Sequence, residues 1–371
     1  MPIDYSELNI IFHHPRPITA NGLTGSQVRP YKMLQAFKKL GVNVLEVTGE
    51  IRSRSASMDS ARRMIEEGKR FDFVYTENLT IPFAMSEEHR LPTHPFLDHS
   101  FLAFCNSRNI PVSLFNRDVY WRDKAYKKML PWWGRLVTIP LHWYDWWWHT
   151  RYLNTLYLPS EAMGRALPWM HSFKNVRFLP PGTEIPEKPR DPNINSPIRL
   201  FYVGGIKPPN YDLRPLLAAM SKTDAANLTV CCRESEWDHL KDIYIPLLSD
   251  RVSVVHRSGA ELDQLYEQSD LFIVVRDQGT YLDYSVPIKL YESLGHALPV
   301  LCNPGGETAR IVDSEKLGWI KDPNEIPDFL ATLAKNSELI KQQKELLKKL
   351  RHNHTWTERA AKVCKDMTLR T

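Results

Sequence analysis

Short apolar runs alternate with longer amphipathic stretches along most of this chain. Leu8–Phe12 has the composition of a buried strand, and a loop is expected from His13 to Gln27. A helix over Arg29–Leu40 stops at Gly41, and a second apolar run, Val42–Val47, follows at once. Strand, helix and strand in that order predict a parallel sheet. The pattern continues with strands at Phe73–Tyr75, Val112–Phe115, Leu153–Leu158 and Val176–Leu179, and then a turn at Pro180-Pro181-Gly182-Thr183. Residues 184–197 are polar and rich in proline, as in an interdomain linker. A second series of strands is predicted at Ile198–Val203, Leu228–Cys232, Val252–Val255, Leu271–Val275 and Val300–Cys302. Charged, amphipathic helices occupy the region from Ile326 to Leu369.

The most informative segment of the second series is Pro287–Leu301. Its pattern predicts a helix opened by Pro287, closed near Gly295 and followed directly by a strand. Leu290 and Leu294 are four apart and face a core; Lys289 and Glu292 are three apart and share another face. A helix N-terminus offers unpaired N–H groups and positive dipole charge to an anion. A cation and a carboxylate within two turns of it fit a nucleotide, with phosphate at the helix start and ribose hydroxyls further down.

This segment resembles the C-terminal signature of GT-B glycosyltransferases, in particular the family 4-like group (glycosyl transferases group 1). The resemblance implies an α/β chain of GT-B architecture, with two Rossmann-like domains facing a central cleft. An acceptor-binding domain would span 1–185, a linker 186–197 and a nucleotide-sugar domain 198–354. A terminal helix, about 355–371, would pack back on the first domain. In the family, the later of two signature glutamates contacts ribose, and it falls on Glu292. The earlier one, which often contacts the sugar, falls on Tyr284, so the sugar is left open. The strand Ile198–Val203 runs into Gly204-Gly205, the turn that faces the donor diphosphate in the family. Relatives commonly place an arginine and then a lysine there; this chain has Gly205 and Tyr211, leaving Lys207, Arg276 and Lys289 as the candidate cations. The loop His256-Arg257-Ser258-Gly259 and the run Gly305-Gly306-Glu307 occupy family positions near the base and over the donor.

On the acceptor side, the loop around Gly25 leads into the first helix, where Arg29 either holds phosphate or decorates the helix. Asn116-Arg117-Asp118 follows a predicted strand, at the end of which parallel sheets place ligands. Asp118 is the first candidate for the catalytic carboxylate that would take the acceptor's proton, with a helix cap as its competing role; Glu77, after Phe73–Tyr75, is second. A retaining enzyme would need neither. His13 and His14 are adjacent, and neighbours on a strand point to opposite faces, which disfavours a shared metal. The chain has no Asp-x-Asp triplet of the kind that marks metal-dependent GT-A enzymes, so metal-free transfer is expected, with no cofactor beyond the donor.

Seven of the eleven tryptophans fall between Trp121 and Trp148, among Arg122, Lys124, Lys127, Lys128 and Arg135. Indole settles at lipid headgroup level, and basic side chains attract anionic lipid. Trp132, Trp133, Trp146, Lys127 and Lys128 are therefore candidate contacts with a membrane surface; an aromatic core is the alternative. The 371 residues suit two domains, and a formal charge of +5 is too mild to suggest nucleic acid. Five scattered cysteines fit a reducing compartment, and the first residues lack the features of a signal peptide. The expectation is a cytoplasmic enzyme at the inner face of a membrane. It would move sugar from a UDP- or GDP-type donor to a glycan or lipid-linked acceptor, in bacterial surface polysaccharide synthesis. A nucleotide-sugar epimerase of the same fold, or a non-catalytic partner subunit, are the alternatives.

Overall fold

A computed structural model describes residues 3–20, 22, 25–123, 126, 130–187, 194, 196–275 and 281–369. The chain forms two units, Met1–Pro180 with Trp356–Thr371, and Pro181–Thr355. The first carries six parallel strands: β1 Asn9–His14, β2 Asn43–Thr48, β3 Phe73–Glu77, β4 Val112–Phe115, β5 Thr155–Leu158 and β6 Val176–Phe178. Their order is β2-β1-β3-β4-β5-β6. The second carries β7 Ile198–Val203, β8 Ala226–Cys231, β9 Val252–Val255, β10 Leu271–Val274, β11 Val300–Cys302 and β12 Gly318–Ile320. Here the order is β12-β11-β10-β7-β8-β9. Strand order reverses between β1 and β3 in the first sheet and between β7 and β10 in the second. Open α/β sheets bind ligands at such reversals, beyond the carboxyl ends of the strands.

Alternation along the strands sorts side chains onto two faces. In the first sheet Ile10, Phe12, Phe73, Tyr75, Phe115 and Tyr157 form one core with Met33, Leu34 and Phe37 of the helix Gly25–Lys39. The helix Trp356–Thr368 completes that core with Trp356, Ala360, Val363, Cys364 and Met367. In the second sheet Leu200, Tyr202, Leu228, Val230 and Ile273 face one core, and Phe201, Phe272, Val274 and Val300 face another.

Several elements differ from the sequence expectation. β1 runs on to His14 because both histidines are buried, so polar residues continue a strand whose apolar pattern has ended. The helices Ile51–Glu66 and Leu97–Ser107 and the strand β12 were not foreseen, whereas the tryptophan-rich stretch is the helix it was read as, Trp132–Tyr152. Ile51–Glu66 reads as polar yet buries Arg54, Met58 and Ala61, a stripe at helical spacing. The first unit ends at Pro180 rather than 185. The Thr183 N–H donates to the His354 carbonyl at 2.8 Å, and Thr183 bridges Thr355, which ties the start of the expected linker into the second unit.

Candidate functional site

In the second unit, Gly204 and Gly205 follow β7 at the switch point. The Gly204 N–H donates to the Cys231 carbonyl at 3.1 Å, and the Tyr202 hydroxyl donates to the Gly205 carbonyl at 2.5 Å. A Cβ on Gly205 would lie 3.3 Å from the Tyr211 ring and 3.4 Å from Glu236 Oε1. The place of the family's arginine is thus bordered by an aromatic ring and a carboxylate, which itself accepts the Ile206 N–H at 3.2 Å. Lys207 is exposed beside this turn, and its carbonyl accepts the Tyr211 N–H at 3.1 Å. Arg276 lies outside the described residues.

The signature helix spans Ile288–Gly295, with Pro287 as its extended N-cap rather than its first helical residue. It buries Leu290, Tyr291 and Leu294 and leaves Lys289 and Glu292 half-exposed. Lys289 Nζ is 2.6 Å from Glu292 Oε2, and the Tyr266 hydroxyl donates to the same oxygen at 3.2 Å. Tyr266 stacks on His296 at 4.7 Å between centroids, and His296 Nε2 lies 3.2 Å from Asp263 Oδ1. Tyr266 and His296 were missed in the sequence because nothing in a strip of residues shows which ring will lie beside Glu292. Tyr284 is half-buried in the turn that precedes this helix. Gly306, at φ +67°, packs so closely that an added Cβ would meet Asp283 Cα at 3.2 Å. This brings the Gly305-Gly306 run against the segment leading into the helix. Glu307 is buried and grips Arg310 through bonds of 2.8 and 2.6 Å, so its carboxylate is already engaged. His256 is fixed at the end of β8 by a 2.9 Å contact with the Cys232 carbonyl.

In the first unit, β1 pairs with β3 in the register His13 to Thr76, and β3 with β4 in the register Glu77 to Phe115. His14, Glu77 and Phe115 therefore form one row at the carboxyl edge of the sheet. Each lies two residues beyond, or at, a side chain of the core under the helix Gly25–Lys39, and Arg117 follows Phe115 by the same step. Glu77 is fully buried. Arg29 Nε is 3.4 Å from its Oε1, Arg117 Nη2 is 3.6 Å from its Oε2, and the Tyr75 hydroxyl donates to Oε1 at 2.7 Å. The Arg29 guanidinium lies 3.4 Å above the Phe115 ring centre, and its Nη2 donates to the Leu179 carbonyl at 3.4 Å. His14 Nδ1 donates to the Arg16 carbonyl at 2.9 Å, which leaves Nε2 as the lone-pair nitrogen. Burial, with Arg117 nearby, lowers the His14 pKa to about 3, so the ring is neutral. Gly25 is exposed at the start of the helix.

Asp118 is buried, and its Oδ1 accepts the Tyr120 N–H at 3.1 Å, closing a local turn. Burial raises its pKa against the opposing effects of that bond, Arg117 and Thr80. On the other face of the same sheet, His13 Nε2 donates to Asp98 at 2.8 Å, and Arg54 Nε donates to the same carboxylate at 2.8 Å. Among the described residues, no three His, Cys, Asp or Glu side chains are placed to share a metal ion.

The helix Trp132–Tyr152 is turned inside out. Its buried face carries Thr138, His142, Asp145, His149 and Tyr152, while Trp132, Trp133 and Leu136 are 72%, 62% and 67% exposed. The buried polar side holds together because the His99 Nε2–H donates to Asp145 at 2.9 Å and the Phe83 N–H donates to its other oxygen at 2.8 Å. Trp146 does not belong to the exposed face. It is 3% exposed, and its indole N–H donates to the Pro168 carbonyl at 2.9 Å. Lys127 and Lys128 lie outside the described residues. No helix of the described residues is long and apolar enough to cross a membrane.

Residues 197–337 match the family of glycosyl transferases group 1. No curated protein sequence matches the chain. Among solved structures, HepE of Anabaena is 11% identical, with a TM-score of 0.63 over 98% of this chain and 100% of its own. It has been solved with UDP and glucose and with UDP-glucose. Sucrose-phosphate synthase of Thermosynechococcus elongatus is 13% identical, with a TM-score of 0.63 over 97% of this chain and 98% of its own. A glycosyltransferase of Rickettsia africae is 11% identical, with the same TM-score over 98% of this chain and 100% of its own. The fold is GT-B.

Proposed function

We propose that this GT-B protein is a glycosyltransferase that uses a nucleotide-diphosphate sugar and a glycan or lipid-linked acceptor. The observation that carries the reading is the helix Ile288–Gly295, where Lys289, Glu292 and Tyr266 converge inside the region that matches the family. Glu292 would accept hydrogen bonds from the ribose hydroxyls. Lys289, now paired with Glu292, and the exposed Lys207 would neutralise the diphosphate, helped by the N–H groups at the helix start. As the bond from the sugar carbon to the phosphate oxygen breaks and a bond to the acceptor oxygen forms, the acceptor's proton passes to the departing phosphate, and these groups stabilise the negative charge that grows on the diphosphate. A UDP-type donor is favoured by the UDP complexes of HepE, whose fold this chain shares. Transfer is metal-independent in this reading, with the lysines taking the charge.

Glu77 and Asp118 act as orienting groups in this reading. Glu77 is held by two guanidinium groups and a phenol, and Asp118 closes its own turn. The exposed Trp132, Trp133 and Leu136 beside the exposed Arg135 fit a headgroup region, which would put the enzyme on the inner face of a membrane, where surface polysaccharides are started.

Calorimetry with UDP tests the reading. Glu292→Ala should weaken UDP binding about 10- to 100-fold, the worth of a charge-assisted hydrogen-bond pair. Equal affinity in both proteins would remove the ribose assignment, and no UDP binding to the native chain would favour a non-catalytic subunit.

A further inference from the structure

The carboxyl edge of the first sheet carries polar groups that the donor site does not use. Arg29 and His14 are each 3% exposed. Among the described residues, Arg29 Nε and Nη1 and His14 Nε2 are buried without a hydrogen-bond partner. A buried donor or acceptor left unmade costs about 1–3 kcal/mol, so such atoms are rare in folded proteins. Both residues border Glu77, Arg29 through its ion pair and His14 through the β1–β3 register, at a reversal of the kind where open α/β sheets place ligands. Their chemistry is complementary to one class of molecule. Guanidinium N–H groups pair most strongly with an oxyanion, and a neutral imidazole nitrogen accepts a proton donor such as a hydroxyl.

We propose that this edge binds the anionic, hydroxyl-bearing end of the acceptor: Arg29 and Arg117 take a phosphate-like oxyanion, and a hydroxyl donates to His14 Nε2. Only the word acceptor rests on the glycosyl-transfer reading; the oxyanion site stands on the geometry of the first unit. Glu77 has a defined part in it. Its carboxylate sits 3.4 Å from Arg29 and 3.6 Å from Arg117, in the place of a competing internal anion. A ligand phosphate must share both cations with it, so Glu77 sets the affinity low. It also prevents the empty site from burying two unbalanced charges.

The test is titration of the full chain with inorganic phosphate under saturating UDP, which fills the second unit's phosphate positions. Binding is followed by calorimetry and by the 15N signal of His14 Nε2. Glu77→Gln should tighten phosphate binding about tenfold, because the competing charge is gone. Arg117→Gln should weaken it at least tenfold, while Arg117→Lys retains most of it. Lower stability of Glu77→Gln is expected in either case, but a purely structural cluster predicts no gain in phosphate affinity. Displacement of phosphate by glucose 6-phosphate would assign a soluble acceptor, and displacement by monomeric dihexanoylphosphatidylglycerol a lipid headgroup; either supports the site. Equal phosphate affinity in native, Glu77→Gln and Arg117→Gln proteins with native circular dichroism would overturn it, as would an unmoved His14 signal. UDP binding is measured separately, so loss of the donor reading and loss of the oxyanion site are distinct results.

Discussion

The two sheets reverse strand order in the same way but furnish the reversal differently. At the β7–β10 reversal the chain offers backbone: two glycines, a helix start, and the half-exposed pair Lys289 and Glu292. At the β1–β3 reversal it offers buried side chains: His14, Glu77 and Arg29, with Arg117 from the neighbouring strand end. A site made of backbone and exposed charge is stable when empty, because water solvates it. A site made of buried charge must balance itself, and Glu77 between two arginines does so. The second unit can therefore change its site residues at little cost in stability, and the first cannot.

The largest test of this difference is acid. In the first unit, burial lowers the pKa of His13, takes those of His14 and His142 to about 3, and takes that of His149 well below the usual value. In the second unit burial lowers the pKa of His296. A ring kept neutral in the fold binds no proton between about pH 6.5 and 3, whereas the unfolded chain does. Its stabilisation is complete above 6.5 and is lost as the pH falls toward 3. For His14 and His142 the loss reaches up to about 4 kcal/mol each. Asp98, which burial raises but His13 and Arg54 draw down to about 2, adds a loss below about pH 4; Asp118 and Asp145, raised by burial, oppose it. Urea melts at pH 7 and pH 5 should show the first unit weakening much more than the second. Tryptophan fluorescence reports mostly the first unit, since the second contains only Trp237 and Trp319. Equal losses in both units would break the comparison.

A single substitution sharpens it. Glu77→Leu removes the common partner of Arg29 and Arg117 and should cost about 3–5 kcal/mol of stability. Lys289→Ala breaks a half-exposed pair and should cost less than about 1 kcal/mol. Similar costs from urea melts would mean that the first cluster is solvated after all.

The same contrast explains what the sequence revealed. Pro287–Leu301 is contiguous, so its helix, its glutamate and its family likeness were all legible in one line. The first cluster joins residues from positions 14, 29, 77 and 117, and only sheet register and the packing of the helix Gly25–Lys39 bring them around Glu77. Arg29 and Glu77 were each visible as candidates, but their pairing was not. His14 was considered only for metal, because its unshared Nε2 depends on a bond to the Arg16 carbonyl. Trp146 was misplaced for a related reason. Composition locates a tryptophan-rich helix but does not say which side of it finds a partner such as the Pro168 carbonyl.

The smallest effect concerns how each unit uses its helices. Glu338–Leu350, in the second unit, buries Ile340, Leu347 and the stem of Lys344 and turns Lys341 and Lys349 outward. Trp132–Tyr152, in the first, does the reverse at its N-terminal end, holding Thr138 and His142 inside and Trp132 and Trp133 outside. Exposed indoles contribute nothing to a core, so Trp132→Ser with Trp133→Ser should change stability by no more than about 0.5 kcal/mol. If that face meets lipid, the double variant should partition at least about tenfold less onto vesicles containing anionic lipid, since indole and basic side chains act together at headgroup level. Trp146→Ser is the control: it removes a buried ring and its hydrogen bond, and so should lower stability without a specific effect on partition. Unchanged vesicle binding in the double variant would leave the inverted helix without a membrane role. An equal stability loss in the double variant and the control would mean that the outer tryptophans are covered by protein, and that the two units use their helices alike.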